Sequence, residues 1–320
     1  MERKTSLNGS RQGACVALLA LLKERGYRFV TPTPRTHEIV LARHAGNLAR
    51  SVVDVLGWSR PFELGTIDRE IEGSLEHAGL LEGPPERRRA TVRVSSLRDR
   101  LFLHSAYPTT ACDAVFFGPD SYRFADFITV EFDRASSEDV TIIDVGTGAG
   151  VGAIVARELC PNARVIAIDI NPAALELAQI NAAAAGVRIE TICGDILQGY
   201  AGPADIVLAN PPYILDAGRR AYRHGGGMHG AELSARMVAA VLPRLAIDGT
   251  FILYTGSTII AGQDRLHDAV VRLADTNGCT LFYRELDPDV FGEELERAAY
   301  ADADRIAVVG AVFRKRCARR

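Results

Sequence analysis

Short apolar runs separated by longer amphipathic stretches set the rhythm of the chain from about residue 111 onward. Thr141 to Val145, Arg164 to Asp169, Ile189 to Cys193, Asp205 to Ala209 and Thr250 to Tyr254 are five or six residues each, rich in Val and Ile, as strands buried on both faces are. Cys279 to Arg284 and Arg305 to Phe313 add two more, giving seven. Helical stretches lie between them, most clearly Pro172 to Ala185, with Asn171 as N-cap, Pro172 at the first helical position and Gly186 as the stop. Strands alternating with helices predict an α/β domain over residues 111–320, a seven-stranded doubly wound sheet.

The first 110 residues have a different pattern and predict a smaller helical plus hairpin N-terminal domain. Cys15, Leu18, Leu19 and Leu22 fall at helical spacing in a run that stops at Gly26. The apolar run Ala14 to Leu22 is too short to span a bilayer. Arg3, Lys4 and Arg11 precede it as in a secretory signal, but Lys23-Glu24-Arg25 follows where small residues would mark a cleavage site. No membrane segment and a cytoplasmic location are expected. After Thr31-Pro32-Thr33-Pro34, one helix is predicted from Thr36 as N-cap to Gly57 and another from Thr66 to Gly79, carrying Ile67, Ile71 and Leu75. Gly83-Pro84-Pro85 breaks the chain, and Val92 to His104 reads as a hairpin around Arg98-Asp99-Arg100. Three helices and a hairpin also fit a winged-helix module, with Trp58 packing its core.

The composition narrows the class. With 320 residues and 48% hydrophobic content the chain suits two globular domains and excludes disordered and fibrous classes. The net charge of -3 divides into 17 Lys/Arg against 12 Asp/Glu in residues 1–110 and 20 against 28 in the remainder. A surplus of five cations over 110 residues is what a solvated surface carries, and by itself names no anionic partner. The six cysteines form no CxxC pair and no His stands beside them at ligand spacing, so a reducing compartment and no metal are expected.

Candidate chemistry sits at the strand ends. Asp144-Val145-Gly146-Thr147-Gly148-Ala149-Gly150 closes the first strand and opens a helix, and its glycines let a ligand approach the main chain. Gly148, Gly150 and Ala153 also match a dinucleotide fingerprint, but Asp144 is an acid placed to meet a cation, such as the sulfonium and amino group of S-adenosylmethionine. Asp169, with Ile170 beside it, ends the second strand 25 positions later and can accept from both ribose hydroxyls of an adenosine. Asp195 after the third strand can accept from an adenine amino group while Ile196 covers the ring, or can cap a short helix.

Asn210-Pro211-Pro212-Tyr213 follows the fourth strand, at the edge where open α/β sheets bind ligands. An amide or aminopurine nitrogen has a delocalised lone pair and must be held while a methyl carbon approaches. The Asn210 oxygen and the Pro211 carbonyl can accept from the two hydrogens of one NH2 group, Pro212 stiffens the turn, and Tyr213 can lie against the planar group. The loop from Arg219 to Gly230, with Arg220, Arg223, His224, His229 and the glycines Gly225 to Gly227, reads either as a basic, mobile substrate lid or as a plain surface loop.

Together these motifs resemble the class I methyltransferases with an Asn-Pro-Pro-Tyr motif, and most closely the small-domain group that includes the release-factor glutamine methyltransferases. The resemblance covers residues 111–313. It implies a Rossmann-like sheet with a reversed last strand, S-adenosylmethionine as donor and S-adenosylhomocysteine as product. It also implies Asn210 as the residue that holds the acceptor, and Phe117 to Arg123 lining the site. Two stretches depart from the group: Gly118-Pro119-Asp120-Ser121-Tyr122-Arg123 replaces a Pro-Arg-Pro-x-Thr-Glu-like segment, and Tyr254-Thr255-Gly256-Ser257 replaces a Glu-Ile-Gly-like strand end. The expected activity is N-methylation of a planar amide or amino nitrogen, on a protein glutamine, a base in RNA or DNA, or a small molecule, with the N-terminal domain recognising the substrate. A cofactor-binding module without catalysis, which the intact Asn210 motif opposes, and a nicotinamide-dependent reductase are the readings outside this class.

Overall fold

The structure, a computed structural model, describes residues 2–44, 46–132, 140–216, 218, 220 and 222–316, with side chains from residue 11. Of the features singled out above, the Arg3 and Lys4 side chains, Arg219 and Cys317 lie outside the described residues. By contact the chain divides into two compact units, residues 1–123 with 176–188, and residues 124–175 with 189–320.

In the first unit, helix α1 (Glu2–Glu24) contributes Cys15, Leu18, Leu19 and Leu22 to a core that also takes in Leu56, Ile71 and Leu75. The predicted helix 36–57 is broken into α2 (Pro34–Ala42) and α3 (Val52–Leu56). Gly46 turns the chain at φ +81, and Arg60 ties down the carbonyls of Asn47 and Leu48 at 3.3 and 2.9 Å. The N-cap of α2 is Thr33, whose hydroxyl accepts from Thr36 N at 3.2 Å, with Pro34 behind it. α4 (Arg69–His77) starts three residues after Thr66, capped by Asp68. The strands β1 (Leu81–Glu82) and β2 (Arg89–Ala90) pair briefly. The predicted hairpin is β3 (Val92–Leu97) against β4 (Arg100–Ser105), closed by Arg98 and Asp99. Trp58 packs edge-on against Phe29, ring centroids 5.2 Å apart. Phe117 is fully buried, with the Phe102, His104 and Tyr122 rings 5.2–5.4 Å away, so it serves this unit's core. It precedes α5 (Pro119–Glu131).

The second unit is built on one sheet. Its strands are β5 (Thr141–Val145), β6 (Arg164–Asp169), β7 (Glu190–Cys193), β8 (Ala204–Ala209), β9 (Leu245–Ile260), β10 (Gln263–Asp264), β11 (Cys279–Asp287) and β12 (Arg305–Lys315). Their order is β11-β12-β9-β8-β5-β6-β7, with β10 paired to β9. Neighbours from β9 to β7 run parallel, and β12 runs antiparallel to both β9 and β11, the reversed last strand. The helices α6 (Val151–Leu159), α7 (Pro172–Ala185), α8 (Glu232–Val241) and α9 (Arg265–Thr276) make the crossovers, and Asn171 caps α7 by accepting from Ala173 N at 3.0 Å. β9 outruns the predicted 250–254 because Thr255 to Ile259 continue the ladder with β12. Thr255 is buried there against Ser234 of α8, their hydroxyls 2.7 Å apart. The chain leaves β5 toward β6 on one side and β8 toward β9 on the other, so the switch in strand order falls between β5 and β8.

Candidate active site

At the end of β5 the glycine-rich loop folds over the end of β6. Gly146 N and Thr147 N both donate to Ile168 O, at 2.8 and 3.1 Å, and Gly148 N donates to the Asp169 carboxylate at 2.9 Å. Gly148 stands at φ +53, where a Cβ would meet no described atom within 4 Å. The backbone conformation selects glycine there, and the space above it is open.

Asp144 does not face that space. It is 1% exposed, and its Oδ2 accepts from Thr147 Oγ1 at 2.6 Å and from Ala153 N, in the first turn of α6, at 2.9 Å. The expected contact with a cationic ligand is therefore corrected: Asp144 ties the loop to the helix from inside. Gly152 is the residue that permits this, because a Cβ there would lie 2.4 Å from the Asp144 carboxylate. Burial pushes the Asp144 acid up to about 6, against the pull of the Thr147 and Ala153 hydrogen bonds. An internal carboxylate thus occupies the helix N-terminus that a dinucleotide fold offers to pyrophosphate.

Asp169 stands at the open rim. Its two oxygens accept from Gly148 N and Asn171 N, both at 2.9 Å, which leaves each oxygen capacity for a further donor such as a ribose hydroxyl. Burial raises its carboxyl above the usual range. The neighbouring Ile170 is 57% exposed, an apolar side chain standing in solvent at a strand end. Asp195 is paired with Arg236 at 3.0 Å, both about half exposed, a surface pair weak enough to yield to another donor. Ile196, expected to cover an adenine ring, is 9% exposed and belongs to the sheet core, so Ile170 offers the larger apolar face.

Asn210 follows β8 directly, and Val145 and Ala209 are paired across β5 and β8. Asn210 and the glycine loop therefore emerge side by side at the switch point, and the end of β6 lies about 10 Å from that of β8 at ordinary strand spacing. Among the described residues none hydrogen-bonds the half-buried Asn210 side chain. Pro211 is buried and Pro212 half-buried. Tyr213 does not lie open to an acceptor: it is 6% exposed, and its ring so nearly touches Gly256 of β9 that a Cβ there would be 2.0 Å away. Its role is to anchor the turn to the sheet.

Among its described residues, the loop that follows packs against the turn. Ile214 N donates to Arg223 O at 3.3 Å and Gly225 N to Ile214 O at 2.9 Å. A Cβ on Gly225 would stand 1.9 Å from Gly230 O and 2.7 Å from Pro212 O, and one on Gly230 would stand 2.2 Å from Tyr213 O. The glycines thus serve close backbone approach to the Asn-Pro-Pro-Tyr turn. Arg220 turns to the buried Asp216, and Arg223 to Asp216 and the buried Glu294, while His229 pairs at the surface with the exposed Asp302. Asp216 and Glu294 carry no motif that marked them in the sequence. No group of three or more His, Cys, Asp or Glu able to hold a metal occurs among the described residues, and no described helix is long and apolar enough to cross a membrane.

Residues 126–257 match the methyltransferase small domain family. A release factor glutamine methyltransferase of Deinococcus radiodurans is 30% identical over 178 residues, 52% of this chain and 63% of its own length. A release factor glutamine methyltransferase of Enterococcus faecalis is 43% identical over 91 residues, 26% of this chain and 33% of its own. A ribosomal protein uL3 glutamine methyltransferase of Bordetella pertussis is 35% identical over 127 residues, 36% and 43% of the two chains. The chain therefore spans between a third and just under two thirds of the length of these curated relatives. Among solved structures, a ribosomal protein L11 methylase of Lactobacillus delbrueckii subsp. bulgaricus aligns at 21% identity and TM-score 0.42, covering 63% of this chain and 81% of that one. TYW2 of M. jannaschii in complex with AdoMet aligns at 15% identity and TM-score 0.47, covering 70% and 87%.

Proposed function

We propose that this chain, whose residues 126–257 form a methyltransferase small domain of the class I, Rossmann-like kind, is an S-adenosylmethionine-dependent N-methyltransferase that acts on a protein glutamine amide. The observation that carries the reading is the Asn210 amide, without a hydrogen-bond partner among the described residues, beside an open glycine loop at the switch point of the sheet.

The residues fit the cofactor. Asp169 would accept from the ribose hydroxyls, Ile170 would cover a face of the adenine, Asp195 would exchange Arg236 for the adenine amino group, and the backbone of Gly146, Thr147, Gly148 and Gly150 would line the methionine side. Asp144 fixes that loop from behind. A negative charge at the start of α6 disfavours a pyrophosphate, which separates this cofactor from a dinucleotide. When bound, the donor supplies a methyl group activated on a sulfonium and leaves as S-adenosylhomocysteine.

Asn210 Oδ1 and the Pro211 carbonyl hold the two N–H bonds of one amide, which aims the nitrogen lone pair at the incoming carbon. With the donor bound, the nitrogen would take the methyl carbon as the sulfonium gives it up and would then lose its proton to water, so the residues here need supply no strong base. The stiff Pro211-Pro212 pair and the buried Tyr213 ring keep the two acceptors in place. The names of the relatives support a glutamine in a protein as the acceptor.

Radiolabelled S-adenosylmethionine incubated with the protein and purified bacterial release factor, and separately with ribosomal protein uL3, tests this. Label on a glutamine of either supports the proposal. Label found instead in RNA, DNA or small molecules of a cell extract replaces the acceptor, and binding of NAD but not S-adenosylhomocysteine removes the cofactor.

A further inference from the structure

Behind the proposed acceptor-holding turn stands the segment that follows it in the chain. Leu215 is gripped at both backbone groups by the segment 292–300: its N–H donates to Tyr300 Oη at 2.8 Å, and its carbonyl accepts from Arg297 Nη1 at 3.0 Å. Tyr300 Oη also donates to His229 O at 3.4 Å, in the stretch that abuts the Tyr213 carbonyl. Next in the chain comes Asp216, a carboxylate only 3% exposed. It accepts from Arg220 N at 3.0 Å, from Arg220 Nε at 2.9 Å and from Arg220 Nη2, and Arg223 Nε lies 3.6 Å from it. Arg223 reaches on to Glu294, also 3% exposed, which Arg297 meets at 2.8 Å.

A buried carboxylate is stable only while its charge is matched, and a matched pair in a poorly solvated place has one good geometry. Asp216 therefore fixes where Arg220 and residues 222–225 lie. Those residues hold the turn, through the Ile214 pairing with Arg223 and Gly225 and the contact of Gly225 with the Pro212 carbonyl.

We propose that Asp216 is a positioning residue for methyl transfer: with Arg220 and Arg223 it clamps the returning loop against Pro212, Tyr213 and Ile214, and so aims the Asn210 and Pro211 oxygens at the acceptor. It touches neither the acceptor nor the cofactor rim at Gly148 and Asp169. The proposal rests on the methyltransferase reading of the site. Asp216→Asn keeps an oxygen for the Arg220 N–H but removes the charge.

The test uses the full-length protein and two readouts. Hydrogen exchange needs no acceptor: Asp216→Asn should speed exchange of the amides of residues 213–216 and 223–230 at least tenfold, leaving residues 144–152 unchanged, with the Kd for S-adenosylhomocysteine within twofold of the parent. On whichever of release factor or uL3 the parent methylates, kcat should fall at least tenfold with little change in KM for the donor. Arg220→Gln, which breaks the same link from the other side, should give the same pattern, and the double variant should lose no more than either single one. Unchanged exchange in both variants, or losses that multiply in the double variant, overturns the proposal. So does a fall in cofactor affinity that parallels the fall in rate. A parent that binds S-adenosylhomocysteine but methylates neither protein counts against the glutamine reading alone, because the exchange result still decides the role of Asp216.

Discussion

The two halves of the site use glycine for opposite purposes. On the cofactor side, Gly148 takes a left-handed conformation with no described atom near its missing Cβ, and Gly146 has only the Met237 methyl, at 4.0 Å. On the acceptor side, Gly225, Gly230 and Gly256 each have a neighbour within 2.2 Å of that position, two of them backbone carbonyls. The first half is open and takes its shape from hydrogen bonds to strand ends, as a surface that closes around a ligand must. The second is filled by its own chain, as a surface that holds two oxygens still must. The proposed cofactor cradle and the proposed acceptor clamp thus place different demands on one residue type, and substitutions should separate them.

Gly225→Ala should have the largest effect. Its Cβ would meet a backbone oxygen at 1.9 Å, which no side-chain rotation relieves, so the loop or the turn must move. A loss of about 3 kcal/mol in stability and of nearly all transfer is expected, read by chemical denaturation and by label transfer. A variant that transfers at the parent rate would show that the packing behind the turn does not govern the chemistry.

Asp144 gives the cofactor side a stability signature of its own. Its folded-state acid is raised to about 6 from the model-compound value of 3.8, so the folded protein holds its proton more tightly than the unfolded chain does. The favourable contribution is complete below the unfolded value and is lost as pH rises to about 6, a span of up to about 3 kcal/mol. Buried histidines of the N-terminal unit have the opposite sign. Burial beside Arg93 lowers His37 from 6.5 to about 4, so stability there falls as pH drops through that window. Asp144→Asn should remove the first contribution and leave the second, making stability rise more steeply from pH 4 to 6.5 than in the parent. Identical pH profiles would mean that Asp144 is not held as described.

Asn210→Ala and Asp169→Ala form the functional counterpart. Asn210→Ala should cut kcat about a hundredfold, near 2.7 kcal/mol of barrier, with the Kd for S-adenosylhomocysteine within twofold. Asp169→Ala should weaken that Kd at least tenfold, since hydrogen bonds to a charged group are worth about 1.5 to 3 kcal/mol. If calorimetry gave the two variants the same loss of affinity, the division into cradle and clamp would fail.

How far each half could be read in advance follows from the range of its contacts. The seven strands, and the places of the glycine loop, Asp169 and Asn210 at strand ends, were legible because strand ends and loops are local patterns, and the sheet then brings these strand ends together. The acceptor clamp was not. Arg223 finds Glu294 at a separation of 71 residues and Leu215 finds Tyr300 at 85, and no spacing announces such pairs. In the sequence, three glycines among arginines allowed a flexible lid; in the structure Gly225 is where backbones touch, Gly226 and Gly227 lie against the Glu232 side chain, and Arg220 and Arg223 are matched by acids. Side-chain direction was hidden as well. Asp144, Ile196 and Tyr213 each stand where expected along the chain, but each points into the protein. The break between α2 and α3 also depends on a remote residue, Arg60, reaching back to two carbonyls.

Gly148→Ala is the smallest of the expected effects and the one that sharpens the contrast most. Its Cβ would meet no described atom within 4 Å, so packing costs nothing and only the left-handed backbone at φ +53 opposes alanine, at about 1 kcal/mol. The folded protein should survive with a melting temperature a few degrees lower. The same methyl group would project into the space assigned to the donor, so affinity for S-adenosylhomocysteine should fall by more than the loss of stability explains. If affinity were unchanged while stability dropped, the open space above Gly148 would not be the cofactor's. Gly225→Ala should behave in reverse, with binding of S-adenosylhomocysteine kept in whatever fraction folds and transfer lost, because its methyl group meets the chain itself and not the ligand.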